Sequence, residues 1–143
     1  MKNILCFEGE WKFNTHKKPE RFDLNSEPIL RMLKEYHKCD AIYRHILTKE
    51  DLKRYIEYFN RNKREWNKID IVYIACHGWF HSISLEGENG NVDLQELADI
   101  AGDFFRDKIV HFSCCKTLAN TSEVEHFKSI TGAKLVCGYK KSV

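Results

Sequence analysis

The sequence predicts an α/β domain with a mostly parallel central sheet and helices on both of its faces. Three observations carry this. Short apolar runs alternate with amphipathic helical stretches along the whole chain. The run Ile71-Val72-Tyr73-Ile74-Ala75-Cys76 is apolar throughout, the pattern of a strand covered on both faces at the centre of a parallel sheet. Asn89-Gly90 between two short alternating segments is a hairpin signal, because both residues tolerate positive φ.

Taken in order, Ile4 to Phe7 is a short buried strand, followed by a polar loop holding Lys17, Lys18 and Pro19. Ser26 is the expected cap of a first helix, with Pro28 in the first turn, where a missing N–H costs nothing. Ile29, Leu33 and Tyr36 recur at helical spacing, with Leu30 alongside, as its buried stripe. Ala41 to Leu47 reads as a strand with Ile42 and Ile46 on one face, and Arg44 and His45 suit an edge position. Thr48 with Asp51 opens a second helix, whose stripe is Leu52, Tyr55, Ile56, Phe59 and Trp66. After the central strand, Ile83 and Leu85, then Val92 and Leu94, alternate on either side of Asn89-Gly90. Asp93 caps a helix carrying Leu97, Ala101 and Phe104. Ile109 to Cys114 is the next strand. Ser122 and Glu125 are the expected capping box of a helix with Val124, Phe127 and Ile130, closed by Gly132. Ala133 to Tyr139 is the last strand. Strands joined through helices imply right-handed crossovers, with expected strand order 2-1-3-4-5.

Composition limits the function. The chain has 143 residues, of which 43% are hydrophobic and 31% charged, as in one ordinary globular domain. The 23 basic and 21 acidic residues leave a net charge of +2, too balanced for a nucleic-acid footprint or an anionic membrane. The longest apolar run is six residues, far short of the roughly 20 of a membrane-spanning helix. An acid at position 8 interrupts any signal-peptide apolar region, so a cytoplasmic location is expected, with the six cysteines reduced. Cys6, Cys76, Cys114 and Cys137 fall in or at the end of apolar runs and are read as small core hydrophobes. No Cys-x-x-Cys pair, GxGxxG or GxxxxGK[ST] occurs, so neither a metal nor a nucleotide cofactor is expected.

Chemistry in open α/β sheets gathers at the carboxyl ends of the strands. There the sequence puts His77-Gly78 after one strand and Cys115-Lys116-Thr117 after the next. A thiol beside an imidazole is the equipment of a cysteine hydrolase. Gly78 permits close approach of a substrate and contributes an N–H for a developing oxyanion. Spacing alone leaves open that His77 merely closes a strand and that Cys115 is packing. Glu8 and Glu10, just beyond the first strand, are candidate acidic readers of a basic substrate side chain.

The segments Ile71 to Gly78, Ser82 to Leu94 and Phe112-Ser113-Cys114-Cys115-Lys116-Thr117, in this order, resemble the caspase-like cysteine peptidases of clan CD, most closely their bacterial CHAT branch. The last segment is similar to that branch's strand ending in Ser-Ala-Cys-Glu-Thr. The resemblance implies a caspase-like three-layer sandwich with Cys115 as nucleophile and His77 as general acid/base. It also implies an oxyanion hole made by the N–H groups of Gly78 and Cys115. It implies peptide-bond hydrolysis through a thioester, with protein or peptide substrates, in regulated bacterial defence or cell death switched on by a partner. Lys116 departs from the branch's Glu, the caspase Gln-Ala-Cys-x-Gly is absent, and Ser113 stands where metacaspases carry an acid. Family domains continue beyond the strand at 133–139, so residues 1–143 are expected to form a single domain lacking its C-terminal portion, completed by that segment or by an activating partner. The rival expectations are a catalytically silent caspase-like interaction module and a flavodoxin-like or nucleotide-binding domain.

Overall fold

The computed structural model describes residues 2–11 and 26–142; the loop residues Lys17, Lys18 and Pro19 lie outside them. Five parallel strands form the central sheet: β1 (Ile4–Glu8), β2 (Ala41–His45), β3 (Ile71–Ala75), β7 (Ile109–Ser113) and β8 (Leu135–Gly138). Their order is β2-β1-β3-β7-β8, which is the expected 2-1-3-4-5. Between β3 and β7 the chain forms a separate three-stranded antiparallel sheet of β4 (His77–Trp79), β5 (Ser82–Ser84) and β6 (Asn91–Asp93). The helices are α1 (Ser26–His37), α2 (Lys49–Arg61), α3 (Lys63–Trp66), α4 (Leu94–Ala101) and α5 (Thr121–Thr131).

The crossovers explain where the helices go. The step from β1 to β2 runs one way across the sheet, while every later step runs the other way. Right-handed connections therefore put α1 on one face and α2, α4 and α5 on the opposite face. On that second face Phe7, Ile74 and Phe112 share one register row and are wholly buried. They meet an aromatic cluster in which Trp66 stacks on Phe104 at 4.1 Å and Phe127 packs on Phe105 and Phe112. The Lys108 ammonium is buried below this cluster, donating to the carbonyls of Ile69 at 2.6 Å and Trp66 at 3.1 Å. Burial pushes its pKa down.

Several elements differ from the sequence expectations. Ser26 is already helical, and its hydroxyl donates to Glu8 instead of capping α1. Leu30 is buried, but Ile29 and Tyr36 are largely exposed, because nothing among the described residues packs over that side of α1. The capping box of Thr48 and Asp51 has both of its hydrogen bonds. The helix it opens breaks at Asn62, which caps α2 and starts the short α3 carrying Trp66. Phe104 lies beyond the end of α4 at Gly102, yet is wholly buried. At α5 the cap is Asn120, accepting from the Glu123 N–H, and not Ser122 with Glu125. Asn120 is as good a capping residue, two positions earlier. No helix among the described residues is long and apolar enough to cross a membrane.

Candidate functional site

The site lies at the carboxyl ends of β3 and β7. These strands are register partners up to Ala75 and Ser113. The next pair, Cys76 and Cys114, is buried, with sulfurs 3.5 Å apart. Hydrogen bonding to Cys114 and burial push the Cys76 thiol well up. The Cys114 thiol also donates to the Ile74 carbonyl at 3.4 Å. Both cysteines are core residues, as their apolar runs predict. From this joint the two segments continue, one into His77-Gly78 and the other into Cys115.

Gly78 shows how tightly the two segments meet. A Cβ built on it would stand 2.5 Å from the Cys115 carbonyl oxygen, 2.5 Å from Thr117 Oγ1 and 2.8 Å from the Cys114 Cβ. Only a residue without a side chain permits this approach. Thr117 is wholly buried and donates to the Ser82 carbonyl at 2.9 Å, tying the Cys115 loop to the hairpin sheet. Lys116 sits in the left-handed region at φ 58°, uncommon for a side chain of its type. Its backbone N–H donates to the Lys141 carbonyl at 3.3 Å. Its ammonium lies 4.2 Å from the Trp79 ring centre and 5.1 Å from that of Phe80, a cation–π latch between the loop and the turn after β4.

His77 is exposed and opens β4, the strand that the sequence pattern does not reveal. Its Nε2 is hydrogen-bonded to the Trp11 carbonyl oxygen. The two rings meet edge to face, with centres 5.3 Å apart. A carbonyl only accepts, so Nε2 is the donor in this bond and Nδ1 is the nitrogen left for another partner. Cys115, half-buried, stands on the neighbouring segment. The two candidate catalytic residues and Gly78 are thus at one end of the sheet, on adjacent segments held in contact through Gly78.

Glu8 is placed otherwise than its expected role requires. It is wholly buried, and its carboxylate accepts from Trp11 Nε1 at 3.0 Å, Tyr43 Oη at 2.9 Å and Ser26 Oγ at 2.9 Å. The Ser26 backbone N–H adds contacts of 3.1 and 3.2 Å to its two oxygens. So engaged, Glu8 serves the fold, and the expectation that it reads a substrate side chain is corrected. Burial, with Glu8 second, pushes the Cys6 thiol up to about 12, and the same two causes push the Tyr43 phenol up. Glu10 is half-buried, 3.0 Å from His45 Nε2. Among the described residues no group of three or more His, Cys, Asp or Glu is placed to hold a metal ion.

Trp11, Trp79 and Phe80 are the site neighbours that sequence reasoning missed. The adjacent aromatics Trp79 and Phe80, directly after His77-Gly78, were the one available signal.

Over residues 1–143 the chain matches the model of a family of unknown function, DUF6642, and belongs to that family. No curated protein matches it.

Proposed function

We propose that this chain is a caspase-like cysteine peptidase domain, with Cys115 as nucleophile and His77 as general acid/base. One observation carries the proposal. The segment holding His77 and the segment holding Cys115 leave adjacent parallel strands and touch at Gly78, with no room between them for even a methyl group.

In the proposed reaction Cys115 gives its thiol proton to His77 as its sulfur attacks the carbonyl carbon of the scissile amide. The N–H groups of Gly78 and Cys115 face the oxygen as it gains charge. His77 passes a proton to the departing amine as the carbon–nitrogen bond breaks, leaving a thioester. Water then attacks the thioester and gives a proton to His77; the carbon–sulfur bond breaks, the acid product leaves, and His77 returns the proton to the Cys115 sulfur. No metal enters this scheme. Substrates are proteins or peptides. Glu10, the acid of the expected pair that stays within reach of solvent, is retained as a reader of a basic side chain. By its resemblance the domain works in regulated proteolysis in bacterial defence, switched on by a partner or a further segment.

The test reads the thiol directly. Iodoacetamide, followed by mass spectrometry of the tryptic peptides, should alkylate Cys115 faster than the other five cysteines, and His77→Ala should slow it. Turnover of a peptide library should vanish in Cys115→Ala and fall about 10²–10⁴-fold in His77→Ala. Equal labelling of Cys115 in wild type and His77→Ala, with no turnover, overturns the proposal in favour of a silent interaction module, and turnover surviving Cys115→Ala overturns Cys115 as the nucleophile.

A further inference from the structure

We infer that Glu8 is a positioning residue for His77, acting through Trp11. In its consequence for turnover this rests on the hydrolase reading; in its geometry it does not. A carboxylate taken wholly out of water needs donors. Among the described residues Glu8 draws them from three places: the first N–H and the hydroxyl of α1 at Ser26, the phenol of Tyr43 on β2, and the indole of Trp11. The start of α1, the edge strand and the segment leaving β1 are thereby fastened to one group.

Of these donors, Trp11 alone leads on to the site. An indole has a single N–H, so the bond to Glu8 sets both the place and the tilt of the ring. The same residue presents its ring to the His77 imidazole and its carbonyl oxygen to Nε2. The route is therefore Glu8 carboxylate, Trp11 indole, Trp11 carbonyl, His77 Nε2. Its product is one tautomer, with Nδ1 left as the nitrogen able to take up a proton. Glu8 touches neither the thiol nor any reacting atom; it acts by fixing the group that fixes the imidazole. Tyr43 and Ser26 bond the same carboxylate and lie off this route, which provides an internal control.

The experiment is a long-range proton–nitrogen correlation spectrum of the imidazoles, with His77 assigned by the signal missing in His77→Gln. Wild type should show His77 protonated on Nε2. Trp11→Phe keeps an aromatic ring and the main-chain carbonyl and loses the indole N–H together with the second ring; it should shift His77 to a mixture of both tautomers. Glu8→Gln should do the same. Tyr43→Phe, which also removes one bond to Glu8, should leave His77 as in wild type. Where wild type turns over substrate, Trp11→Phe should lower kcat about tenfold with KM unchanged. If the His77 nitrogens are the same in Trp11→Phe as in wild type, or if Tyr43→Phe shifts them as far, the positioning role is overturned. If Glu8→Gln fails to fold, Trp11→Phe still decides. The expected tautomer shift in a protein that shows no Cys115-dependent turnover would sink the hydrolase reading and leave the positioning role standing.

Discussion

The two faces of the central sheet are built from the same kinds of residue and end in different states. On the face under α2, α4 and α5, Leu5, Phe7, Val72, Ile74, Val110 and Phe112 are all wholly buried. On the face under α1, Ile71, Tyr73, Ile109, His111 and Cys137 are only half-buried and line an open apolar groove of about 420 Å³ beside Ile29, Leu30 and Leu33. The difference comes from handedness and strand order, not from hydrophobicity. One crossover step runs leftward and three run rightward, so one face receives a single helix and the other receives the rest. Burial here is a property of topology laid over a chain that is apolar on both sides of its strands.

The largest effect is expected at the crowded face. Phe104 is wholly buried and stacked on Trp66, with Phe7 and Phe59 also in ring contact. Phe104→Ala should cost about 3–5 kcal/mol in urea unfolding; a loss under about 1 kcal/mol would mean that this face is no better packed than its opposite. On the α1 face, Leu30→Ala should cost about 2 kcal/mol, at the low end for a leucine, because its surroundings are already partly open. Equal costs for the two variants would break the comparison. The smallest effect is a pH dependence. Burial holds the His111 imidazole below its ordinary value of 6.5, favouring the neutral ring in the folded protein. The unfolded chain therefore binds this proton more readily. The contribution is intact above pH 6.5 and declines as the pH falls below it. Urea midpoints at pH 7.5 and 5.5 should differ less in His111→Gln than in wild type, and an equal difference would remove His111 from the account.

Features set by near neighbours in the chain were legible in the sequence. The central strand, the turn at Asn89 with φ 57°, the Thr48–Asp51 box and the αL cap at Gly132 all follow local rules. The break at Asn62 and the cap at Asn120 were missed, because a helical stripe reads through a break and two good capping residues lie close together. Helical spacing in α1 marked Ile29 and Tyr36 as core, although the spacing says nothing of how many helices share a face. The placing of His77, Gly78 and Cys115 beyond the ends of β3 and β7 was legible because strand ends are visible in a sequence. Glu8 was misread because its partners arrive from 18 and 35 residues away, at Ser26 and Tyr43. The role of Trp11 depends on its meeting His77, 66 positions later, which no local pattern records.

The missing side chain at position 78 sets a standard of length for this end of the molecule. The separation of the two outgoing segments is fixed where Gly78 lies against the Cys115 carbonyl, the buried Thr117 hydroxyl and the Cys114 Cβ, contacts that leave little room to adjust. A single added carbon would act as a wedge driven where parallel neighbours diverge, shifting the imidazole and the sulfur relative to one another.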